Sequence, residues 1–239
     1  MKKYFFLPVV VALLMTGCAH QINVTPNTTA LSEASPLSAN KEYKVGYYIS
    51  SKDKALEVTT LGGGGDNVRY YPYRDMKNGY KIILSNVFKS ATALNSVNNG
   101  ELQNEIDFII SPTVITTSGS TGFFTWPPTN FTVDLTSTIK NVDGEVIAEP
   151  RVVGTGVADT SERLSEHGIS GKRAMEDALL KMQEALTEVN LSGKSNLYHN
   201  LKVDESISDK FEKLNRLKES NLISDKEYLE KRQQILNSF

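Results

Sequence analysis

Three histidines, His20, His167 and His199, and one cysteine, Cys18, are the scarce reactive side chains of this 239-residue chain. A zinc site calls for several nitrogen or sulfur ligands at close spacing, and no histidine here has a second at i+3 or i+4. Ser165, His167 and Asp159 are the residue types of an acyl-transfer triad, but no nucleophile-elbow pattern surrounds the serine. His167 reads as a solvated histidine of the loop "SERLSEHGISG". Gly62 to Gly65 invite a phosphate cradle. A P-loop needs Lys and then Ser or Thr straight after its last glycine, whereas Asp66 follows here. Contiguous glycines without an immediate helix also miss the dinucleotide fingerprint, which leaves a flexible or tightly turning loop. "GISGKR" lacks the first P-loop glycine, although Lys172 and Arg173 at a helix start could attract an anion. No catalytic residue, metal site or cofactor is assigned on these grounds.

Cys18 stands apart because of what precedes it. Met1, Lys2 and Lys3 are followed by a mostly apolar run from Tyr4 to Met15, interrupted by Pro8, and then by Thr16 and Gly17. Positive end, apolar middle and small residues make the plan of an export signal. The middle falls short of the roughly 20 apolar residues that span a bilayer. "LMTGC" resembles the lipobox of bacterial lipoproteins, with Met15 three positions before Cys18 and Leu14 one position early. That resemblance implies a signal peptide over 1–17, cleavage before Cys18 and lipidation of its thiol. One acyl chain anchors only marginally; the three that this modification attaches would anchor firmly. Ala19, in place of the Asp that retains many such proteins at the inner membrane, implies the outer membrane, facing the periplasm. Without Lys2 and Lys3 there remain 24 basic against 28 acidic residues, a net charge near −4. That balance offers no electrostatic reason to bind nucleic acid.

The elements that would position any site lie further on. Residues 18–40, rich in Ser, Thr, Asn, Ala and Pro, show little apolar periodicity and read as a flexible lipid-anchored tether. A main domain is expected over 41–192. Tyr43 to Ile49 make a first strand. Tyr80, Ile83, Leu84, Val87, Ala91 and Leu94 recur at helical spacing, with Asp75 near the start and Gly100 beyond the end. "IDFIISPTVITT" is a strand with an edge or bulge at Pro112. In "NFTVDLTSTI", Phe131, Val133, Leu135 and Ile139 alternate with Thr132, Asp134, Thr136 and Thr138, the mark of a strand with one wet face. Asp143–Gly144 is a hairpin signal leading into "EVIAEPRVVGTGVA". Met175, Ala178, Leu179, Met182, Leu186 and Val189 define a helix over 171–191, with Ser170 as its cap. The expected fold is α+β: an antiparallel sheet of about four strands with two helices packed on one face, plus a C-terminal helical hairpin.

Between two of these strands, "SGSTGFFTWPPTN" gathers Phe123, Phe124 and Trp126 beside two prolines. These aromatics either fold back to cap the core or form a tip that touches a partner or membrane. Together with the lipobox, the element order and the stretch "FTWPPTNFTVDL…EPRVVGTG…RAMEDALLKM" resemble periplasmic lipoproteins of the YajG and LptE kind, which implies fold and compartment and no active site.

Residues 193–207 read as a linker. In 208–239, Phe211, Leu214 and Leu217 share one helix face, and Ser224 with Glu227 makes a capping box for a second helix. Tyr228, Ile235 and Leu236 of that helix can meet the first. "LKESNLISDKEYLEKRQQIL" resembles the SHOCT domain, with Asn221 in place of the usual turn glycine. The resemblance implies an oligomerisation or docking element. The expected function is a non-enzymatic binding or assembly module, joined to the membrane by its lipid and to an envelope protein or a second copy by its sheet, aromatic loop or hairpin. The rival reading is an auxiliary that carries an apolar ligand, lipid or glycolipid, between sheet and helices. A hydrolase remains a remote third.

Overall fold

The computed structural model describes residues 19–34, 41–97, 106–121 and 126–192, then residues 212, 214, 215, 218 and 224–236. Two units divide the chain, Met1–Asn190 and Leu191–Phe239.

Alternation dictates the long strands of the first unit. β7 (Asn130–Asn141) buries Phe131, Val133, Leu135 and Ile139, while the intervening threonines and Asp134 keep partial contact with solvent. It pairs antiparallel with β6 (Phe108–Gly119) on one side and with β8 (Val146–Ala148) and β9 (Arg151–Val157) on the other. β2 (Lys41–Tyr47) and β5 (Phe88–Ala93) complete a six-stranded sheet of order β5-β2-β6-β7-β8, with β9 also on β7. Pairing with β2 covers only Phe108–Ile110, so Pro112 falls just past it, where a missing N–H costs no ladder bond.

The architecture is mixed α+β, but the sheet departs from expectation. β5 and β6 both run parallel to β2, so the sheet is mixed and has six strands. A second, three-stranded sheet joins β1 (Ala19–Gln21), β4 (Asp66–Tyr70) and β3 (Val58–Gly63) in the order β1-β4-β3. The expected helix through Leu94 also ends early. After α1 (Thr28–Glu33) and α2 (Ser51–Lys54), α3 spans Pro72–Val87, and Phe88 turns extended into β5. The helical period survives at Leu94 for another reason: that side chain is buried against Gly46, where a Cβ would lie 2.6 Å from it. Edge pairing with β2 supplied hydrogen bonds that outweigh helix propensity, which is only a weak prior.

α4 (Thr160–Ser165) precedes α5 (Ile169–Glu188). α3 and α5 pack on one face of the large sheet, as expected. The seat of α5 is written in "GTG": a Cβ on Gly154 would lie 2.3 Å from Ala174 O, and one on Gly156 2.0 Å from Ser170 O. Helix backbone therefore rests on strand backbone. Ser170 is not the cap; Gly168 is, and the buried Ser170 hydroxyl donates to Pro128 O at 3.1 Å. Arg173, Asp177 and Lys181, one helical turn apart, then reach the open edge of β9. Arg173 Nη1 donates to Val157 O, Thr155 N donates to Asp177, and Lys181 Nζ donates to Val153 O. The unpaired strand edge is blunted by three side chains in place of another strand.

Residues 19–34 are no tether. β1 pairs parallel to β4, Ile22 N donates to Arg69 O, and Val24 and Leu31 are fully buried. Val24 fits where Gly171 has no side chain (a Cβ there would lie 2.4 Å from Val24 Cγ1), and Leu31 lies similarly over Gly79. Asn27 caps α1 through Thr29 N and Ala30 N. Asn86 and Gln183, hydrogen-bonded to each other at 2.8 Å, hold the C-terminal end of this segment through Leu31 O and Ala34 O.

In the second unit Glu212, Leu214, Asn215 and Lys218 are helical, and α6 spans Asp225–Leu236. Its capping box forms: Glu227 N donates to Ser224 Oγ, and Ser224 N donates to Glu227 Oε2. The Tyr228 hydroxyl donates to Asn215 Oδ1 at 2.8 Å, linking the two helical stretches.

Candidate functional site

Three segments converge on Trp126. The β3–β4 hairpin closes through Gly63, Gly64 and Gly65 with φ of 98°, 64° and 89°, a left-handed run that only glycine takes at no steric cost. The four-glycine stretch is thus a tight turn. At its base the indole lies on backbone, since a Cβ on Gly62 would sit 3.1 Å from Trp126 Nε1. His20 of β1 and His167 of the α4–α5 loop flank the ring, with centroids 4.7 and 4.5 Å from it. His20 Nε2 also lies 3.3 Å from Asp66 Oδ2, a surface pair with both partners more than two-fifths exposed; such pairs are worth little.

The prolines fix the backbone beneath. Trp126–Pro127 is cis. Pro127 O accepts from the buried Arg163 (Nη1, 3.1 Å) and from Ser120 Oγ at 3.4 Å. Trp126 Nε1 and Arg163 Nε are buried with no hydrogen-bond partner among the described residues, a condition that costs about 1–3 kcal/mol per group. The tryptophan is half-buried. Phe123 and Phe124 lie outside the described residues.

Beside His167, an open cleft of about 250 Å³ separates residues 21–23 from residues 165–168. The cations near it are already engaged. Lys172 pairs with Glu166, and Arg173 forks onto Glu162. The Arg173 guanidinium, helped by the Asp159 N–H, holds the Glu162 carboxyl down to about 2. Ser165 Oγ donates to Glu162 O, and Asp159 accepts from Glu162 N and Ser161 Oγ as the cap of α4. The triad types near His167 are thereby spent on local structure.

The second candidate is the face of β6, β7 and β9 turned away from the helices. Ile115, Asp134 and Val153 lie in one row across the three strands. Ile115, Val153 and Val157 are 62, 48 and 66% exposed. Thr117 and Thr132 are hydrogen-bonded to each other, and Arg151 forks onto Asp134 at 2.8 and 2.5 Å, which lowers the carboxyl below its usual range. The face is threonine-rich and locally neutral. On the opposite, helix-covered face, side chains occupy the space between sheet and helices: Phe131 packs 5.2 Å from the Tyr70 ring, Val133 is fully buried, and the Tyr80 hydroxyl meets Ser137 Oγ at 2.7 Å.

No family model matches the chain, so the likenesses to YajG, LptE and the SHOCT domain rest on the quoted residues alone. No curated protein matches it either. Among solved structures, a DUF330-family protein from Xanthomonas campestris superposes with a TM-score of 0.39 at 12% identity, covering 71% of this chain and 96% of its own. A proposed lipoprotein from Caulobacter crescentus gives 0.31 at 11%, covering 67% and 91%. A proposed homologue of the neuraminyllactose-binding hemagglutinin from Helicobacter pylori gives 0.39 at 7%, covering 72% and 96%. Likenesses this loose carry no argument about this chain.

Of the residues singled out from the sequence, Trp126 joins the histidine cluster. Leu214 is buried and Tyr228 half-buried in the second unit. Cys18, Phe211 and Leu217 lie outside the described residues, as does the side chain of Ile235. No described helix is long and apolar enough to cross a membrane. Sequence reasoning missed His20 and Gly62 as neighbours of Trp126, because separations of 106 and 64 residues leave no local signal. It also passed over Ile115, Val153 and Val157, whose alternation with buried neighbours did mark a second apolar face.

Proposed function

We propose that the protein is a lipid-anchored envelope protein, held at the outer membrane through Cys18 and facing the periplasm, that acts as a non-enzymatic binding or assembly module. Its docking surface is the outer face of β6, β7 and β9, and its partner there is a folded envelope protein. The observation that carries this reading is the uncovered row of exposed β-branched residues on that face, beside a ligand space that the core has filled. Patches of this kind mark interaction sites. With Asp134 and Arg151 neutralising each other, the face suits a flat protein surface better than a charged small molecule. The C-terminal hairpin supplies a second contact, by docking or by self-association.

Photoreactive residues at Ile115, Val153 and, separately, Tyr228 test this in cells. Discrete protein adducts from Ile115 and Val153 are expected, with adducts from Tyr228 reporting the hairpin's own contact. Lipid-only adducts at the sheet would favour the carrier reading, and silence at both sheet positions would contradict the docking surface.

A further inference from the structure

We infer that the end of the first unit built by β1, the β3–β4 turn and Trp126 is the surface that rests on the phospholipid bilayer. The inference rests on the lipid-anchor reading of Cys18 and goes beyond it by fixing orientation. Because β1 begins at Ala19, a single peptide link of about 3.8 Å separates the ordered domain from the anchoring residue. A protein on a long stalk could present any face to the membrane. This one has no stalk, so whatever surrounds Ala19 is held against the lipid.

What surrounds Ala19 suits that position. Ala19, Asn67 and Leu61 occupy one row of the small sheet, which puts Leu61 two strand spacings, about 10 Å, from Ala19. Leu61 is 68% exposed, among the most exposed of the large apolar side chains described. Next to it the Gly64–Gly65 tip carries no side chain that would hold a bilayer off; a Cβ on Gly65 would meet nothing within 4 Å. Trp126, half-buried, lies against Gly62 of the same hairpin and against His20, the second residue past Cys18. The Trp126 N–H is turned inward and buried, so what the half-buried ring can offer a lipid surface is its apolar edge. The ionisable groups here, His20, Asp66, His167, and Glu166 paired with Lys172, are of mixed sign. Contact with lipid therefore needs no anionic headgroup.

Trp126 is the only tryptophan, so it reports the arrangement directly. The full-length protein, exported and purified with its lipid, is reconstituted in phosphatidylethanolamine–phosphatidylglycerol vesicles with and without bromine near the top of the acyl chains. Mass spectrometry first establishes acylation of Cys18. Bromine is expected to cut Trp126 emission about twofold, as for an interfacial indole. The control is Val146→Trp in a Trp126→Phe background. Val146 is 53% exposed and lies opposite Lys140, at the far end of β7 from Asn130. Ten residues along the strand are about 33 Å, so emission there should be unaffected by bromine. Should W126F fail to fold, bromines at two depths on the wild-type protein replace the control, with the shallow set quenching more. Unquenched Trp126 on vesicle-bound, acylated protein, or equal quenching at Val146→Trp, overturns the orientation and leaves the anchor intact. An unmodified Cys18 overturns both.

Discussion

The two ends of the described chain carry opposite signals in sequence and meet opposite fates. Residues 19–34 fall within the stretch that reads as a tether, yet Val24 and Leu31 are fully buried and Ile22 is only 5% exposed. Residues 224–236 carry a capping box and an apolar pattern, yet the described side chains of α6 are largely exposed, with Leu229 at 60%. The difference lies in what each end meets. Three isolated apolar residues dock onto surfaces already shaped to take them, notably at Gly79 and Gly171. α6 carries its own cap at Ser224, and its Tyr228 hydroxyl donates to Asn215 Oδ1. Periodicity reports a local amphipathic element; it does not report how much surface a neighbouring body will cover.

Val24→Asp puts a carboxylate in a fully buried position whose own N–H already donates to the buried Asp75. An unpaired buried charge costs more than about 4 kcal/mol, so the first unit should lose most of its stability in urea. Were residues 19–34 a tether, nothing would change. Asn27→Ala removes the acceptor for Thr29 N and Ala30 N, and should cost about 1 kcal/mol with an unchanged urea m-value. Ser224→Ala removes the matching cap of α6 at a similar local cost of about 1 kcal/mol. It should appear as lost hydrogen-exchange protection in α6 alone, with the melt of the first unit unmoved.

Acid separates the two ends most finely. The Ser224 N–H and hydroxyl hold the Glu227 carboxyl below its usual value. Its contribution is therefore present above the ordinary glutamate range and is lost as pH falls through the depressed value. The Asn27 cap does not titrate. Lowering the pH from neutral toward 3 should reduce the protection factors of α6 more than those of α1. Equal losses would contradict the assignment of the α6 cap.

Much of the first unit was legible because its strands are half-buried and its helices amphipathic. β7, the second half of α3 and the body of α5 follow directly from period 2 and period 3.6. Parallel pairing of β2 with β5 and β6 was not legible, since β5 continues the helical spacing of α3 and nothing local marks the switch at Phe88. Nor was the N-terminal segment, whose buried residues are too sparse to form a pattern. The clamp of Arg173, Asp177 and Lys181 was visible as charges at i, i+4 and i+8, but its target, the edge of β9, exists only once the sheet is assembled. Trp126 stood out by type; its neighbours His20 and His167 are set by topology.

The claim on which the membrane-facing assignment depends is that the folded domain begins at the anchor. Hydrogen exchange on the mature protein measures it directly at Ile22 and Leu31, whose amides donate to Arg69 O and Asn27 O. Protection of Ile22 within about tenfold of that of the β6 and β7 amides is the predicted result. Exchange of both amides at the rate of an unstructured chain would contradict it, and would return residues 19–34 to a tether.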